Sequence, residues 1–439
     1  MPASPILLPA PPGPDEPFDL DLPEGSLDQL LAWFHTYGDI YRLRSPRIPA
    51  PIYVVNHPDD VKRILVNQHR HYVKGIGIER VKILLGNGIM VSEGEFWRRQ
   101  RTLIQPAFHR RVVTGLEETV WAANRDLLHR WSLAARNGEP VNVTRDTSDL
   151  ALQIVLCSLF GTDLPAIAAA VGGNPFAILT QEPSRDLRFA ARFRSLGRLV
   201  LDCAQRRRAE GREHFDLLAM LMAARDRETG AAMTDKELLD EVMTLIVAGH
   251  ETTASTLNWT WYLLSRNPGA EQRLHAELGA QGDAQTPTAA ATGAAVSYAR
   301  QVLEEALRLY PPGWLLTRRA VAEDRIGDYP VALGTHVFIS PYLVHRHPRF
   351  WEEPEAFRPE RFAPAAATAR HRYAHLPFGA GPRQCVGQLF AMMEMEIHLR
   401  TIAQALQLRR ADDTPVILEP QVNLRTRDDL LMIPALRTH

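Results

Sequence analysis

The chain has 439 residues, of which 45% are hydrophobic, and its formal net charge at pH 7 is -1. A chain of this length and apolar content can bury a large core, as one big domain or two ordinary ones. The small net charge gives no global field to attract nucleic acid or an anionic membrane, so both are disfavoured as partners. Cys157, Cys203 and Cys385 are too far apart in sequence for a disulfide framework, which indicates a reducing cytoplasm.

The N-terminal residues 1–26 are rich in proline and acidic residues. They lack the basic start and the small-residue cleavage site of a signal peptide. The longest apolar runs, such as Ala151–Phe160, are shorter than the about 20 residues that cross a bilayer. We therefore predict a leader over residues 1–26 and a single domain over residues 27–439, in a soluble protein without a membrane anchor.

The first elements of the predicted domain are short strands at Ile40–Arg44 and Ile52–Val55, which indicate a small sheet. The segment from Gly75 to Val91 is irregular and punctuated by glycine, yet it is apolar. Loops are usually polar, so this segment is predicted either to pack into the core or to cover a ligand. The sequence leaves both alternatives open.

A capping box at Ser92-x-x-Glu95 predicts a helix that runs to Gln105. Trp97 and Arg101 are four residues apart and share one face of that helix, while its other arginines point elsewhere. On its own this pair is typical of cation–π packing.

A second capping box, Thr234-x-x-Glu237, predicts a helix that continues to Asn267, a length of about 50 Å. Its middle reads Ala248-Gly249-His250-Glu251-Thr252-Thr253. Glycine removes side-chain bulk and threonine hydroxyls compete for backbone carbonyls, so the helix can bend there and admit water. Taken alone, the run is also compatible with a polar spot that has no function.

The next helix, from about Tyr298 to Leu309, carries Glu305 and Arg308 and is stopped by two prolines. As an exposed i,i+3 ion pair they would stabilise the helix by only about 0.2–0.5 kcal/mol.

The decapeptide from Phe378 to Gly387 precedes a helix predicted to reach about Leu408. A cysteine where a glycine-rich loop enters a helix has free N–H groups and the positive dipole end to stabilise its thiolate. No second cysteine lies near Cys385, which disfavours zinc and iron–sulfur clusters, whereas haem iron needs only one protein thiolate. The alternative reading of a lone cysteine is a buried small hydrophobe.

The spacing Phe-x-x-Gly-x-Arg-x-Cys-x-Gly resembles the haem-binding loop of the cytochrome P-450 family, and it is complete in Phe378, Gly381, Arg383, Cys385 and Gly387. The resemblance extends from roughly Asp39 to the C-terminus. It implies a mainly helical, triangular fold with a small β region, which holds haem b between the long central helix and the cysteine loop. Cys385 would be the axial iron ligand, Phe378 would cover the sulfur and Arg383 would meet a haem propionate.

The same resemblance implies roles for the central helix and for the helix after Ser92. Trp97 and Arg101 would contact the propionates. The segment that begins with Ala248 and Gly249 would line the cofactor and activate oxygen. Within it, Thr252 would hold water and Glu251 would feed protons.

Two further features follow from the resemblance. Glu305 and Arg308 would form a buried triad with Arg361, which locks the backbone near the haem loop. An arginine five residues before Asp324 matches the family's propionate ligand and selects Arg319 over Arg318.

The parts of the chain that would contact substrate depart from the family pattern. The lid between Thr162 and Arg206 is shorter than usual, and the hairpin predicted at Val422–Leu431 has Asp428-Asp429 in place of the expected His-Gly tip. The resemblance therefore implies an apolar small-molecule substrate, with terpenoid, fatty-acid or polyketide-like compounds as the guess, but does not name it.

The implied reaction inserts one oxygen atom from O2 into a C–H or C=C bond, because thiolate ligation favours O–O cleavage. Electrons would come from NAD(P)H. No Gly-x-Gly-x-x-Gly fingerprint follows a strand, so a separate ferredoxin or flavodoxin with its reductase is expected to bring them to a cytoplasmic monomer. Arg98 and Arg99 are predicted to form the face on which this redox partner docks.

Two alternative functions stay open, a peroxide-driven haem-thiolate peroxygenase and a non-catalytic haem sensor or carrier.

Overall fold

The computed structural model describes residues 10–22, 24–181, 187–280 and 296–437. Helices dominate the described residues. In chain order they are α1 Ser26–Tyr37, α2 Pro58–Lys62, α3 Ile78–Leu85, α4 Gly94–Ile104, α5 Arg110–Gly115, α6 Glu117–Asn137, α7 Val143–Phe160, α8 Leu164–Val171, α9 Ile178–Gln181, α10 Leu187–Ser195, α11 Gly197–Glu210, α12 Leu217–Ala223, α13 Asp235–Arg266, α14 Pro268–Ala280, α15 Tyr298–Leu309, α16 Pro341–Val344, α17 Pro364–Ala369 and α18 Gln388–Ala405.

The strands form small sheets at the edges of the helical body. They are β1 Ile40–Ser45, β2 Ile48–Val55, β3 Tyr72–Lys74, β4 Val141–Asn142, β5 Leu316–Ala320, β6 Asp324–Ile326, β7 Tyr329–Val331, β8 His336–Ile339, β9 Leu406–Arg410, β10 Leu418–Pro420, β11 Leu424–Thr426 and β12 Leu431–Leu436. The largest sheet has the order β1-β2-β8-β5-β3, and it contains the two strands predicted from sequence as an antiparallel pair. The mainly helical class with a small β region is thus confirmed.

Helix α13 is the centre of the molecule, and most of its side chains are buried. Its start is the predicted capping box: the Glu237 N–H donates to the Thr234 hydroxyl, while the Thr234 N–H donates to the Glu237 carboxylate. It packs along α7, which joins it in the main hydrophobic core. The apolar faces of these two helices hold the middle of α13 in a fixed place relative to the rest of the site.

The start of α4 differs from the prediction. Its N-cap is Glu93, and no side chain caps the helix, so the predicted capping box at Ser92 and Glu95 is wrong. The carbonyl of Ser92 instead accepts a hydrogen bond from Arg383, 2.7 Å away. The backbone that would have formed the cap is thus used for a contact with the cysteine loop.

The described part of the proline-rich N-terminus packs on the domain, which corrects the predicted leader over residues 1–26. The Phe18 side chain is 1% exposed and stacks edge-on against Trp33 in a core cluster. The backbone joins the sheet edge as well, because the Phe18 N–H donates to the carbonyl of Arg44 at 2.8 Å. Residues 10–22 therefore belong to the domain, while residues 1–9 and 23 lie outside the described residues.

The predicted substrate lid between Thr162 and Arg206 is described except for residues 182–186. It contains the short helices α8, α9 and α10 before α11. Phe176 of this segment contacts two other rings, Phe160 at the end of α7 and Phe193 on α10, each with a centroid distance of 6.3 Å. These rings attach the lid to the end of α7.

One helical stretch among the described residues, Val143–Val171, has the length and apolar composition of a membrane span. The sequence expectation counted only shorter runs. Most of α7, which forms the first part of this stretch, lies in the core against α13, as the buried Leu150, Ile154 and Leu159 show. Packing against α13 accounts for the apolar character of α7, while in α8, the second part of the stretch, only Ile167 is buried.

A buried histidine on α18 predicts how the fold responds to acid. The His398 ring lies between Asn124, whose carbonyl oxygen accepts its Nδ1–H at 2.8 Å, and Trp261, whose indole N–H donates to Nε2 at 2.9 Å. A proton on Nε2 would face that indole N–H. Burial lowers the pKa of His398 to about 3.

We expect this histidine to destabilise the fold as pH falls. The unfolded chain takes up the proton near pH ~6.5, so between that pH and about 3 the unfolded state binds more protons and stability rises with pH. His398→Gln should remove up to ~1.4 kcal/mol per pH unit from that slope. Urea unfolding at pH 4, 5, 6 and 7 measures it. An unchanged slope in the variant would show that other groups dominate acid unfolding.

Candidate active site

The cysteine loop is a tight turn closed by its own backbone. The Cys385 N–H donates to the carbonyl of Phe378 at 2.9 Å, and the Gln384 N–H donates to the carbonyl of Gly381 at 3.0 Å. Gly381 has φ +72°, and a Cβ on it would lie 2.0 Å from the carbonyl oxygen of Leu65. Only glycine fits this position, so its presence in the motif has a steric reason.

The sulfur of Cys385 lies at the entry to α18. Burial raises the pKa of its thiol, whereas backbone N–H donors of Gly387 and Gln388 and the charge of Arg101 act in the opposite direction. The Cys385 side chain lines a cavity of about 420 Å³. Its exposed surface faces this cavity. The N–H donors are the arrangement that stabilises a thiolate ligand at a helix N-terminus.

Next to the loop, three partly buried basic side chains, those of Lys74, Arg318 and Arg383, lie around the Glu93 carboxylate. Arg383 stacks over the Trp97 ring, 4.0 Å from its centroid, and pairs with Glu93. Burial and the neighbouring arginines lower the pKa of Lys74 to about 7, and burial and Arg383 lower the pKa of Arg318 to about 10. Lys74 is only partly protonated near pH 7, but one carboxylate does not neutralise the two arginines either, so this cluster has the charge to bind an anionic group.

Arg318 belongs to this cluster and Arg319 does not, which corrects the sequence-based choice. The two residues are neighbours on β5, so their side chains point to opposite faces of the sheet. Arg318 is opposite Lys74 in the register with β3 and lies close to Arg383, whereas Arg319 is exposed. Counting back from Asp324 could not decide between them, because the register between β3, β5 and β8 sets the face.

Arg101 lies on α4 one turn after Trp97, as predicted. Its guanidinium donates through Nη1 to the carbonyl of Gln384, the residue before Cys385, at 2.8 Å. Its Nε is buried and has no hydrogen-bond partner. A buried N–H without a partner costs free energy unless a ligand supplies an acceptor.

The middle of α13 holds the predicted proton-handling residues. Thr252 donates its hydroxyl to the carbonyl of Ala248 at 2.9 Å, one turn earlier on the same face. The Glu251 carboxylate accepts a hydrogen bond from Asn423 at 2.8 Å. Residues 247–249, Glu251 and Thr252 are partly exposed within an otherwise buried helix, so this is where α13 borders open space.

Gly249 has a different place from the one predicted. A Cβ on it would lie 3.1 Å from Cγ2 of Val155, so the glycine lets α7 approach α13 closely. It therefore contributes to helix packing, and its predicted role in lining the cofactor stays a prediction.

Sequence reasoning missed several residues of the site. Lys74 and Glu93 carry no motif, and Asn423 comes from the turn between β10 and β11. The predicted hairpin tip, Asp428-Asp429, lies instead after β11, where Asp429 accepts a hydrogen bond from Asn142 at 2.6 Å. Glu394 on α18 is fully buried, hydrogen-bonds Thr253, and has its pKa raised well above the usual value by burial. No local pattern marks these residues, because each is defined by a contact with a distant segment.

The structure brings the three members of the predicted triad together. Arg308 forms a two-point ion pair with Glu305, with N–O distances of 2.7 and 2.8 Å, and both side chains are 0% exposed. Arg361 approaches the same carboxylate at 3.3 Å. Arg308 also donates to three backbone carbonyls, those of His345, Pro354 and Ala356. The triad thus ties α15 to the segment that precedes the cysteine loop.

These observations fit haem b. Cys385 offers one sulfur at a helix entry, the cluster of Lys74, Arg318 and Arg383 carries the charge for two propionates, and the unpartnered Nε of Arg101 offers a further donor. Propionates are carboxylates, for which arginine and lysine are the usual partners.

The predicted docking arginines are only partly where the sequence suggested. Arg98 is exposed and pairs with Glu95. Arg99 is held by Glu237 at 2.8 Å and is largely covered, so it does not point outward. The cations around the cavity at Cys385 are other residues: Arg101, Arg110 and Arg300.

Comparison with known proteins gives the family of the chain. The family model "Cytochrome P450" matches residues 19–166 and 175–433. Cyclooctatin synthase from Streptomyces melanosporofaciens is 35% identical over 92% of this chain and 90% of its own length. Cyclooctat-9-en-7-ol 5-monooxygenase from the same organism is 33% identical over 88% of this chain and 86% of its own.

The fold has solved counterparts. The crystal structure of the cytochrome P450DA haem domain superposes with a TM-score of 0.83 at 24% identity, and 98% of each chain is covered. Together with the family model and the two relatives, this shows that the chain belongs to the cytochrome P450 family and is a haem-dependent monooxygenase, an oxidoreductase.

Proposed function

We propose that this protein inserts one oxygen atom from O2 into an apolar terpenoid substrate, by hydroxylation or epoxidation. NAD(P)H supplies the electrons through a separate ferredoxin or flavodoxin and its reductase. The name of one relative, cyclooctat-9-en-7-ol 5-monooxygenase, describes oxygenation of a cyclic alkenol, which supports a substrate of this class over fatty acids and polyketides.

The haem would be held by the residues of the cysteine loop and of the cationic cluster beside it, namely Cys385, Lys74, Arg318, Arg383, Trp97 and Arg101. Bound haem supplies oxygen activation and oxidation of the substrate carbon. The chain's own contribution is positioning and proton transfer. The Thr252 hydroxyl, which donates to the Ala248 carbonyl, can accept a hydrogen bond from water at the partly exposed face of α13.

The observation that carries the proposal is the placement of Glu251. Its carboxylate is held by Asn423 beside Thr252, where it can receive a proton and pass it on after a change of rotamer. Reduction of O2 requires protons from the protein, whereas a peroxide-driven peroxygenase is supplied with them by its oxidant, and a sensor needs none. The presence of Glu251 beside Thr252 therefore favours the monooxygenase over both alternatives.

The test is a screen of cyclic terpene alcohols and hydrocarbons against the haem-loaded protein. We expect a substrate-induced change of the Soret band for at least one compound. Turnover of that compound should depend on NADPH together with a surrogate ferredoxin and its reductase. Product formed with hydrogen peroxide but not with NADPH would favour the peroxygenase, and the absence of any spectral response would favour a sensor.

Replacing Thr252 with alanine should separate electron use from product formation. Proton delivery by a positioned group typically contributes about 10²–10⁴-fold, so productive turnover should fall at least tenfold. Haem content and substrate-induced spectra should stay as in the wild type, while NADPH oxidation yields hydrogen peroxide. Thr256→Ala is the matched control, because Thr256 makes the same bond to a carbonyl one turn earlier but lies further along α13. Fully coupled turnover in Thr252→Ala would remove the role of Thr252.

The docking face of the redox partner is expected around Arg110, an exposed cation at the cavity that reaches Cys385. Arg110→Glu should slow reduction by an acidic ferredoxin by roughly two- to tenfold at low ionic strength, because charge steers the encounter. High salt should reduce the difference. Arg98→Glu serves as the control, since Glu95 already pairs with Arg98. Equal slowing by both variants would place the docking face elsewhere.

A further inference from the structure

The apolar segment before α4 is attached to α13 through two adjacent carboxylates. The Asn87 N–H donates to Asp240 at 2.9 Å, and the Ile89 N–H donates to Glu241 at 2.8 Å. Asp240 is 8% exposed and Glu241 only 1%. Two backbone donors of one loop thus end on neighbouring buried acceptors of one helix.

Glycines allow this loop to lie directly on the helix. A Cβ on Gly86, which has φ +67°, would be 2.1 Å from Oδ1 of Asp240. A Cβ on Gly88 would be 2.1 Å from the hydroxyl oxygen of Thr244, which itself donates to the Asp240 carbonyl. Any larger side chain at either position would push the loop away from α13.

The other end of the same loop is held by the cationic cluster beside the cysteine loop. Lys74 donates to the carbonyl of Met90, and Arg383 donates to the carbonyl of Ser92 and pairs with Glu93. The loop of residues 86–93 therefore runs from α13 to the residues that would hold the propionates. It thus contacts both the central helix and the residues beside the cysteine loop.

Helix geometry places the loop of residues 86–93 on the face of α13 that carries Thr252. At about 100° per residue, Glu241, Ala248 and Thr252 fall within roughly 40° of one another. Glu241 and Thr252 are eleven residues apart, or about 16 Å along the axis. The loop therefore lies along the face that carries Thr252, at the distance expected for the far end of a small-molecule site.

The charge of the contact suits a buried position. Burial raises the pKa of Glu241 to about 8, against the effect of the Ile89 N–H, and Asp240 and Glu237 add to the increase. At neutral pH the side chain is largely a neutral acid whose carbonyl oxygen can still accept the Ile89 N–H. The contact between Glu241 and the loop thus adds little buried charge.

We propose that Asp240 and Glu241 are positioning residues that latch the loop of residues 86–93 onto α13, and that the latch controls the entry of apolar ligands to the active site. The proposal deepens the proposed function and rests on it for the identity of the site. The contacts of the loop with Asp240 and Glu241 involve none of the residues that would hold haem. Of the two alternatives that the sequence left open for this segment, packing into the core is confirmed for Leu85, which lies in the main core cluster. Covering a ligand is proposed in addition for the loop of residues 86–93.

The first experiment measures hydrogen–deuterium exchange of peptides that cover residues 86–93, in haem-free and haem-loaded protein. Glu241→Ala removes the acceptor of the Ile89 N–H, so exchange in this loop should accelerate about tenfold. Glu241→Gln keeps a carbonyl acceptor and should restore protection close to that of the wild type. Glu271→Gln is the control for loss of a buried carboxylate, since Glu271 pairs with Arg437 away from the loop.

The second experiment measures binding of 4-phenylimidazole to the haem-loaded protein by stopped flow. With the latch broken in Glu241→Ala, association and dissociation should both accelerate about tenfold, while Glu241→Gln and Glu271→Gln should match the wild type. If residues 86–93 exchanged hydrogen at the wild-type rate in Glu241→Ala, Glu241 would not hold the loop. If exchange were faster but the binding rates of 4-phenylimidazole were unchanged, the loop would not control ligand entry.

The two experiments also separate this proposal from the proposed function. If the chain did not perform the proposed oxygenation, loop exchange in the haem-free variants would still report the latch. If the latch were absent, terpenoid-induced spectra and NADPH-dependent turnover would still report the function.

Discussion

Replacing Cys385 with serine is expected to abolish the thiolate-type Soret shift of the ferrous–CO complex and to reduce NADPH-dependent turnover to background. A serine hydroxyl does not ionise under conditions in which a cysteine thiol at a helix entry can, so the N–H donors of Gly387 and Gln388 would have no anion to stabilise. The cationic cluster around Arg383 is untouched by the change, so some haem should still bind.

The other two cysteines provide matched controls for this experiment. Cys203 is buried, and burial raises the pKa of its thiol to about 11, while burial also raises the pKa of Cys157. Neither lies at a glycine-rich helix entry. Cys157→Ser and Cys203→Ser should keep the spectrum, and its retention in Cys385→Ser would mean that another residue is the ligand.

Breaking the buried triad should produce the largest loss of stability. Arg308→Met would leave the 0% exposed Glu305 carboxylate with the more distant Arg361 as its ion-pair partner and one backbone donor, the Arg358 N–H. It would also strip three backbone carbonyls of their donor. Removal of one partner of a buried ion pair typically costs ~3–5 kcal/mol. The free energy of unfolding of a whole domain is only about 5–15 kcal/mol, so the variant should unfold at a clearly lower temperature and lose haem.

An ion pair with the same i,i+3 spacing on the surface tests whether burial is the cause of the expected loss of stability. Arg325 pairs with Asp328 at 3.3 Å, but both side chains are well exposed. Arg325→Ala should leave the thermal midpoint unchanged, because exposed ion pairs contribute little. The double variant Glu305→Leu/Arg308→Met should be less destabilised than Arg308→Met, since it removes both fully buried charges and leaves only Arg361, which is 10% exposed, without its ion pair. Equal midpoints for Arg308→Met and the wild type would contradict the buried role of the triad.

The predictions that succeeded rest on short-range patterns. The start of α13 follows from a capping box whose two hydrogen bonds join residues three apart. The turn at Gly381 follows from a backbone conformation that only glycine adopts easily. Such signals are complete within a few residues of sequence, and therefore they survive without knowledge of the fold.

The predictions that failed depended on partners elsewhere in the chain. Ser92 had the sequence of a helix cap, but Arg383, 291 residues away, takes its carbonyl. Phe18 stood in a segment that resembled a leader, yet it fills a core formed with α1 and the sheet. In both cases tertiary contacts outweighed a local preference of about 1 kcal/mol.

By itself the sequence determined the class of protein, because a thiolate at a glycine-rich helix entry and a polar break in a long helix are each encoded in about ten consecutive residues. Only the tertiary structure decided which side chains complete the site. Arg318 replaces Arg319 because strand pairing sets the face on which each side chain lies. Asn423 reaches Glu251 across 172 residues, and the loop of residues 86–93 reaches Glu241 across 152. The physical reason is that such pairs are chosen by the packing of whole elements, which no local run of residues specifies.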